Sequence, residues 1–186
     1  MPKRTNETIT LGSGKLYCLE VPANGEMPAD TTIEVDENRL AWIKGGASLE
    51  YTGEFYDAKD DLGMVSKRKL TTEEVKLISG IMTWNGDVLK KLCSTARVTE
   101  ASGVRTVKIG GTANDDGKAY IFHFVHEDAV DGDVRITMVG QNTSGFTLQF
   151  AADAETVIDA EFSAVAGKLD KEGTLVIIKE EIDAAA

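Results

Sequence analysis

Residues 60–95, DDLGMVSKRKLTTEEVKLISGIMTWNGDVLKKLCST, decide how the whole chain is read. They read as a charged loop, then a long strand, then a short capped helix. Within Glu73–Trp84, Val75, Leu77 and Ile81 share one strand face, and Lys76, Ile78 and Met82 share the other. The second face is not uniformly polar, which points to contact with another sheet or another subunit. Asn85 stands where an N-cap accepts from first-turn amides. Asp87 follows at the positive end of the macrodipole, and Lys90 and Lys91 lie toward the negative end. Val88, Leu89, Leu92 and Cys93 cluster at helical spacing. The expectation is a helix over Asn85–Ser94 that lids one open side of a sheet sandwich, with docking to a partner as its alternative role.

Upstream, Ala47–Phe55 alternates cleanly. Leu49, Tyr51 and Phe55 fall on a buried face, and Ser48, Glu50, Thr52 and Glu54 on a wet one. Tyr56–Thr72 carries Asp57, Asp60, Asp61, Lys67, Arg68 and Lys69, and reads as a long inter-strand loop. Long structureless loops in compact domains are usually functional, so a loop that waits for a neighbour is expected. Ala41–Ile43 begins a strand region interrupted at Gly45-Gly46. Pro22–Asn38, with two of the three prolines, is an irregular connection. Lys15–Val21 is a first strand, and residues 1–14 form a polar, flexible N-terminal arm.

Downstream, strands are expected at Arg105–Ile109, Lys118–Val125, Val134–Val139, Phe146–Phe150, Val157–Val165 and Gly173–Lys179. Asn114-Asp115-Asp116-Gly117 is read as a hairpin turn, as is Asp131-Gly132-Asp133. This pattern specifies a mainly β chain: a single-domain antiparallel β-sandwich or barrel with one short α-helix.

The chain has 186 residues, 20 basic against 31 acidic, for a net charge of −11. Phosphate affinity comes from Lys and Arg, so bulk charge argues against a DNA-gripping protein. No apolar run reaches the ~18 residues of a membrane span. The N-terminus lacks an apolar signal region, so folding in a cytoplasm is expected. Cys18 and Cys93 form no CxxC pattern and are expected to be reduced, packed thiols.

Motifs for chemistry are sparse. His123 and His126 lie three apart in a strand, so they point to opposite faces, one packed and one exposed, and cannot chelate one metal without a bulge. Glu127, Asp128, Asp131 and Asp133 crowd one turn without EF-hand spacing. Asp60-Asp61 has no apolar pocket to raise a pKa. There is no G-x-S-x-G elbow, phosphate loop or dinucleotide motif. Neither catalytic residues nor a cofactor or metal are expected.

Seven segments carry a family likeness: GKLYCLEV, ASLEYTGEFYDAKDDLG, TTEEVKLISGIMTWNGDVLKKLCST, VRTVKIGG, AYIFHFVHEDAVDGDVRITMVG, GFTLQFAADAETVIDAEFSA and EGTLVII. In order and spacing, from Lys15 to Ile182, they resemble the major tail proteins that build the tail tube of long-tailed bacteriophages. The resemblance implies six-membered rings of this chain, stacked into a hollow tube through which DNA passes without specific binding. It implies partners in the tape measure, tail tip and terminator proteins, and residence in the virion tail after assembly in the host cytoplasm. It implies a tube lumen lined by acids, for which Glu50, Thr52 and Glu54 are one candidate set, and Asp159 and Glu161 a second. It implies inter-ring contacts by the Asp57–Leu70 loop, with Asp57, Asp60, Asp61, Lys67, Arg68 and Lys69, or by the N-terminal arm. The chain ends soon after Ile182, so the immunoglobulin-like decoration of some members is not expected. A competing expectation is a β-sandwich that binds carbohydrate or a host surface. That would need exposed aromatics, whereas most here sit at core spacing.

Overall fold

A computed structural model describes residues 9–64 and 66–182 of the chain. The protein is mainly β and antiparallel, with few helices. Its strands are β1 (Lys15–Glu20), β2 (Arg39–Ala41), β3 (Ile43–Lys59), β4 (Ser66–Ile81), β5 (Arg97–Ala101), β6 (Val104–Lys108), β7 (Tyr120–His126), β8 (Val134–Asn142), β9 (Ile158–Ala164) and β10 (Val176–Glu180). Two short helices accompany them, α1 (Asp30–Ile33) and α2 (Gly86–Leu92). The main sheet runs β2-β1-β7-β8-β9-β4-β3, and β10 pairs with β8 beside this path. β5 and β6 form a separate hairpin.

One edge of β8 serves two strands. Its first half, Val134–Met138, pairs with β10, and Gly140–Asn142 pairs with β9. The sheet therefore divides and curls, and β9 and β4 fold back over β7. Phe162 of β9 stacks on Phe122 of β7 with ring centroids 3.9 Å apart. Around this stack lie Leu16, Cys18, Leu77, Ile81, Met138 and Ile158, all buried. The α2 side chains Val88, Leu89 and Leu92 close the same core. A second cluster, with Tyr17, Ile33, Ile121, Val125, Val139 and Leu169, covers the opposite face of β1, β7 and β8. Hence every residue of β7 is buried, and its sequence YIFHFVH shows no wet face.

Several expectations hold. Asn85 caps α2, its side-chain oxygen accepting from the amides of Asp87 and Val88 at 2.9 and 3.0 Å. Val75, Leu77 and Ile81 are buried on one face of β4. The turn around Asp131-Gly132-Asp133 joins β7 and β8 as a hairpin. Both cysteines are free, and burial pushes the Cys18 thiol up to about 12, which leaves it unreactive.

Other expectations are corrected. The stretch 56–72 is not a long loop. β3 continues to Lys59 and β4 begins at Ser66, so most of it is a two-stranded ribbon. Gly45-Gly46 is a bulge within β3 rather than a break. The apolar face expected for β3 is nowhere fully buried: Ile43, Ala47 and Leu49 are half-buried, and Tyr51 and Phe55 are exposed. Pro22–Asn38 contains α1, whose Ile33 enters the second core cluster. The Asn114–Gly117 turn joins no hairpin, because β6 pairs with β5 and not with β7. β5 was not expected at all; it is exposed along most of its length and shows no burial alternation. Phe146–Phe150 is not a strand, although Phe146 and Leu148 pack on the main core.

Both histidines are buried, not one. His126 donates from Nδ1 to the Ser13 carbonyl at 2.8 Å, so the end of the expected N-terminal arm is docked against β7. The rest of that expectation, residues 1–8, lies outside the described residues.

The Phe122–Phe162 stack should dominate stability, because it holds the two halves of the curled sheet together. Phe162→Ala is expected to cost about 3–5 kcal/mol, the range for a fully buried aromatic. Urea denaturation would measure it. Tyr51→Ala on the ribbon should cost less than about 1 kcal/mol, since it removes an exposed contact.

Candidate functional site

The ribbon of β3 and β4 is the feature that stands outside the body. β4 pairs with β9 only from Lys76 to Ile81, and β3 has no partner but β4 among the described strands. From Tyr51↔Val75 to Lys59↔Ser66 the two strands have only each other. At ~3.3 Å per residue this is a projection of about 25–30 Å. A two-stranded hairpin is marginal in water without added interactions, and here they are specific. Arg68 donates to both Asp57 carboxylate oxygens at 2.7 and 2.8 Å. That pairing holds the Asp57 carboxyl below its usual range and the Arg68 guanidinium above its own. The guanidinium also lies 5.7 Å from the Phe55 ring centre. Tyr51 donates its hydroxyl to Glu73 at 2.8 Å, which raises the phenol pKa.

This changes the meaning of the charged candidates. Asp57 and Arg68 are consumed in a cross-strand pair, and they stiffen the ribbon instead of awaiting a partner's charge. Lys67 and Lys69 face the other side, opposite Ala58 and Tyr56. Asp60 and Asp61 lie in the connection at the tip. The six residues therefore do not form one patch.

The lumen candidates do come together. Glu50 sits opposite Lys76, Lys76 opposite Ser163, Ile78 opposite Glu161 and Gly80 opposite Asp159. Strand alternation puts Glu50, Thr52, Glu54, Asp159 and Glu161 on one outward face of β3, β4 and β9. Glu74, across from Thr52, joins them. Lys76 is the cation in their midst, 2.9 Å from Glu161 and 3.4 Å from Glu74. The Glu161 hydrogen bond raises the Lys76 pKa and keeps the ammonium charged. Lys44, also on this face, pairs with Glu155. The surface stays acidic, but it is a laced ion-pair face rather than a bare run of carboxylates.

Sequence reasoning missed two constellations. The first is aromatic exposure: Trp42, Tyr51, Phe55, Tyr56, Trp84 and Phe150, half of the twelve Phe, Trp and Tyr residues, are exposed. Core spacing along a strand has no meaning where the strand leaves the core. The second is a polar network on β7 and β8. Thr137 donates to His123 Nδ1 at 2.7 Å, and His123 Nε2 donates to Glu34 at 3.1 Å. Arg135 binds Glu34 at 2.6 Å, and also Asp133 and Glu181. A Thr–His–Glu chain has the hydrogen-bond order of an activated nucleophile. Here Thr137 and His123 are sealed from solvent, so no substrate reaches them. Burial, opposed by Glu34, lowers the His123 pKa. Burial opposes the Glu34 charge, yet the Arg135 and His123 hydrogen bonds outweigh it and hold this carboxyl low.

The crowded acids Glu127, Asp128, Asp131 and Asp133 are largely turn-formers. Asp128 accepts from the amides of Val130 and Asp131, Asp133 accepts from the Asp128 amide, and Glu127 pairs with Lys15. No cluster of three or more His, Cys, Asp or Glu placed to hold a metal occurs among the described residues. No helix among them is long and apolar enough to cross a membrane. No protein-family model matches the chain, and no curated sequence matches it significantly.

The network predicts acid sensitivity with a definite sign. A histidine whose pKa is lowered by folding binds its proton more readily when unfolded. Stability should therefore fall as pH drops below the ordinary histidine value of 6.5. A second loss should begin below the ordinary glutamate value of 4.5, as Glu34 loses the advantage of its paired charge. Thermal melts from pH 7 to pH 5 should show the first decline, and His123→Gln should flatten it.

Proposed function

We propose that this protein is a structural subunit. Identical copies join sheet to sheet into six-membered rings, and the rings stack into a hollow tube of the phage-tail kind through which DNA passes. The observation that carries this reading is the β3–β4 ribbon. It is long and internally braced, its outer edges have no partner among the described strands, and aromatic side chains are exposed along it. An exposed strand edge is a template for another strand and an aggregation hazard in a lone monomer. Closure of several such sheets into one barrel removes the hazard, and a barrel of many strands encloses an aqueous channel.

The acidic face of Glu50, Glu54, Glu74, Asp159 and Glu161 suits the wall of such a channel. Carboxylates repel phosphate, so DNA would slide past without being held. Ion pairs with Lys76 and Lys44 moderate the mutual repulsion of these acids. On this reading the partners are further copies of the chain, together with the proteins that start, measure and end the tube.

A second reading, a carbohydrate-binding β-sandwich, gains from the exposed Trp42 and Trp84, since flat aromatic faces suit sugar rings. It does not account for the length and bracing of the ribbon.

Negative-stain microscopy of concentrated protein tests the first reading. Uniform hollow filaments are expected. Net charge of −11 makes subunits repel, so assembly should be stronger at about 0.15 M salt than at 0.01 M, as screening shortens from ~30 to ~8 Å. Isolated globules under all conditions would overturn it, and selective binding on a glycan array would favour the second reading.

A further inference from the structure

The dipeptide Asn-Gly occurs twice in the chain, at Asn24-Gly25 and at Asn85-Gly86. An asparagine in this position is open to attack from its own backbone. The glycine nitrogen, with no Cβ beside it, can reach the side-chain carbonyl carbon. The fold gives the two copies opposite surroundings. Asn24 and Gly25 are both exposed, in the turn between β1 and α1. Gly25 has a φ of 71°, its amide donates to the Pro22 carbonyl at 2.8 Å, and a Cβ placed on it would meet nothing within 4 Å. The Asn24 side chain lies against Glu26: its oxygen accepts from the Glu26 amide at 3.1 Å, and its Nδ2 donates to the Glu26 carboxylate at 3.0 Å.

Gly86 is instead buried at the start of α2. A Cβ there would lie 2.7 Å from Cδ of Arg105 and 3.1 Å from a Val107 methyl. The Asn85 oxygen is engaged by the Asp87 and Val88 amides. Ring closure at Asn85 would therefore break the helix cap and press against β6.

We propose that Asn24 is a site of spontaneous self-modification, converted through a cyclic imide to aspartate and isoaspartate, and that the fold shields Asn85 from the same reaction. The Gly25 nitrogen bonds to Asn24 Cγ as the bond from Cγ to Nδ2 breaks. Nδ2 leaves as ammonia, taking up the proton that the Gly25 nitrogen gives away. Water then opens the ring, and nothing is oxidised or reduced. Opening at Cγ leaves aspartate. Opening at the main-chain carbonyl leaves isoaspartate, whose backbone runs through the side chain and is longer by a methylene. At Asn24 the bonds given up are those of an exposed turn, which opens far more readily than a packed helix start. The product adds a carboxylate beside Glu26. Val21 and Met27 flank the turn, and both pack on the second core cluster. Isoaspartate thus lengthens a link whose two ends are held, and aged protein should melt at a lower temperature. The reaction is independent of the tube reading and needs no second copy.

The test uses the full chain, kept folded in warm, mildly alkaline buffer, where an amide nitrogen more often loses its proton. Samples taken over time are digested, and peptide masses with an isoaspartate-specific methylation assay locate the product. Acid is expected to replace amide at Asn24, with Asn85 at least about tenfold slower, the factor for giving up a helix cap. In urea, where both copies are unfolded, the two rates should converge. Asn24→Gln would have to close a larger ring, so its acidic product should vanish while its melting temperature starts unchanged. Asn24 that stays amidated in folded protein, whatever it does in urea, would overturn the proposal. Equal rates at Asn24 and Asn85 in folded protein would overturn the shielding and leave only the dipeptide's intrinsic chemistry. Filaments, or their absence, bear on the tube alone.

Discussion

The fold turns on how close β9 can come to β8 at Gly140. A Cβ at that position would lie 2.3 Å from the Ser163 carbonyl oxygen, a distance no side chain tolerates. Without it, β9 takes over the edge of β8 just where β10 leaves it. A strand edge shared between two partners cannot stay in one plane, so the sheet divides and its far half swings over the near half. The swing places Phe162 on Phe122 and gives the main core its second wall. The rest of the body is fastened to this arrangement. The Asn142 side chain donates to the Leu92 carbonyl at 2.9 Å and ties the end of α2 to β8, and Lys91 reaches the Cys18 carbonyl at the same distance.

The curl has a consequence at the far edge of the sheet. β9 is short and covers β4 only over its last six residues. The outer part of β4, and the part of β3 paired with it from Tyr51 to Lys59, have only each other. A ribbon in that position holds its shape only through its own cross-strand pairs. Asp57 with Arg68 and Tyr51 with Glu73 supply them, at exposed sites where each pair is individually weak. Stiffness therefore comes from the number and regularity of the pairs along fifteen matched positions, interrupted by bulges after Lys44 and Glu54. Bulges add twist and turn an edge away from indiscriminate pairing.

Much of the body could be read from residue patterns, and much of the ribbon could not, for one physical reason. Burial is what writes alternation into a strand. β4 alternates cleanly from Val75 to Ile81 because that stretch packs on the core, and the same strand from Ser66 to Thr72 is exposed apart from half-buried Leu70 and reads as a loop. β5 escaped notice on the same ground. β7 posed the opposite difficulty: alternation exposes one of its two histidines, yet both faces are covered and His123 and His126 are both buried, the latter against the Ser13 carbonyl. α2 was legible because its cap and charges are local chemistry that needs no tertiary partner. The outward acids of β3 and of β9 are two separate candidate sets in the sequence, and only the register of β4 between them places both on one surface. The acidic lumen itself remains part of the proposal.

The distribution of polar groups separates what closes the body from what faces outward. The polar network Thr137–His123–Glu34–Arg135 runs from a buried end at Thr137 and His123 to a half-buried end at Glu34 and Arg135, where hydrogen bonds to charged groups are strong and an unpaired partner is costly. It tethers the segment around α1 to β7 and β8, and Arg135 extends it to Glu181 beyond β10. A network anchored in this way stabilises one conformation of the body. The outward chemistry is of another kind: single-layer ion pairs, exposed indoles and phenyl rings, and free strand edges. Those groups recognise surfaces through area and register rather than through a concave, desolvated pocket. Selectivity among surfaces then requires that wrong contacts be repelled, and a net charge of −11 supplies a general repulsion between copies that only well-matched surfaces overcome.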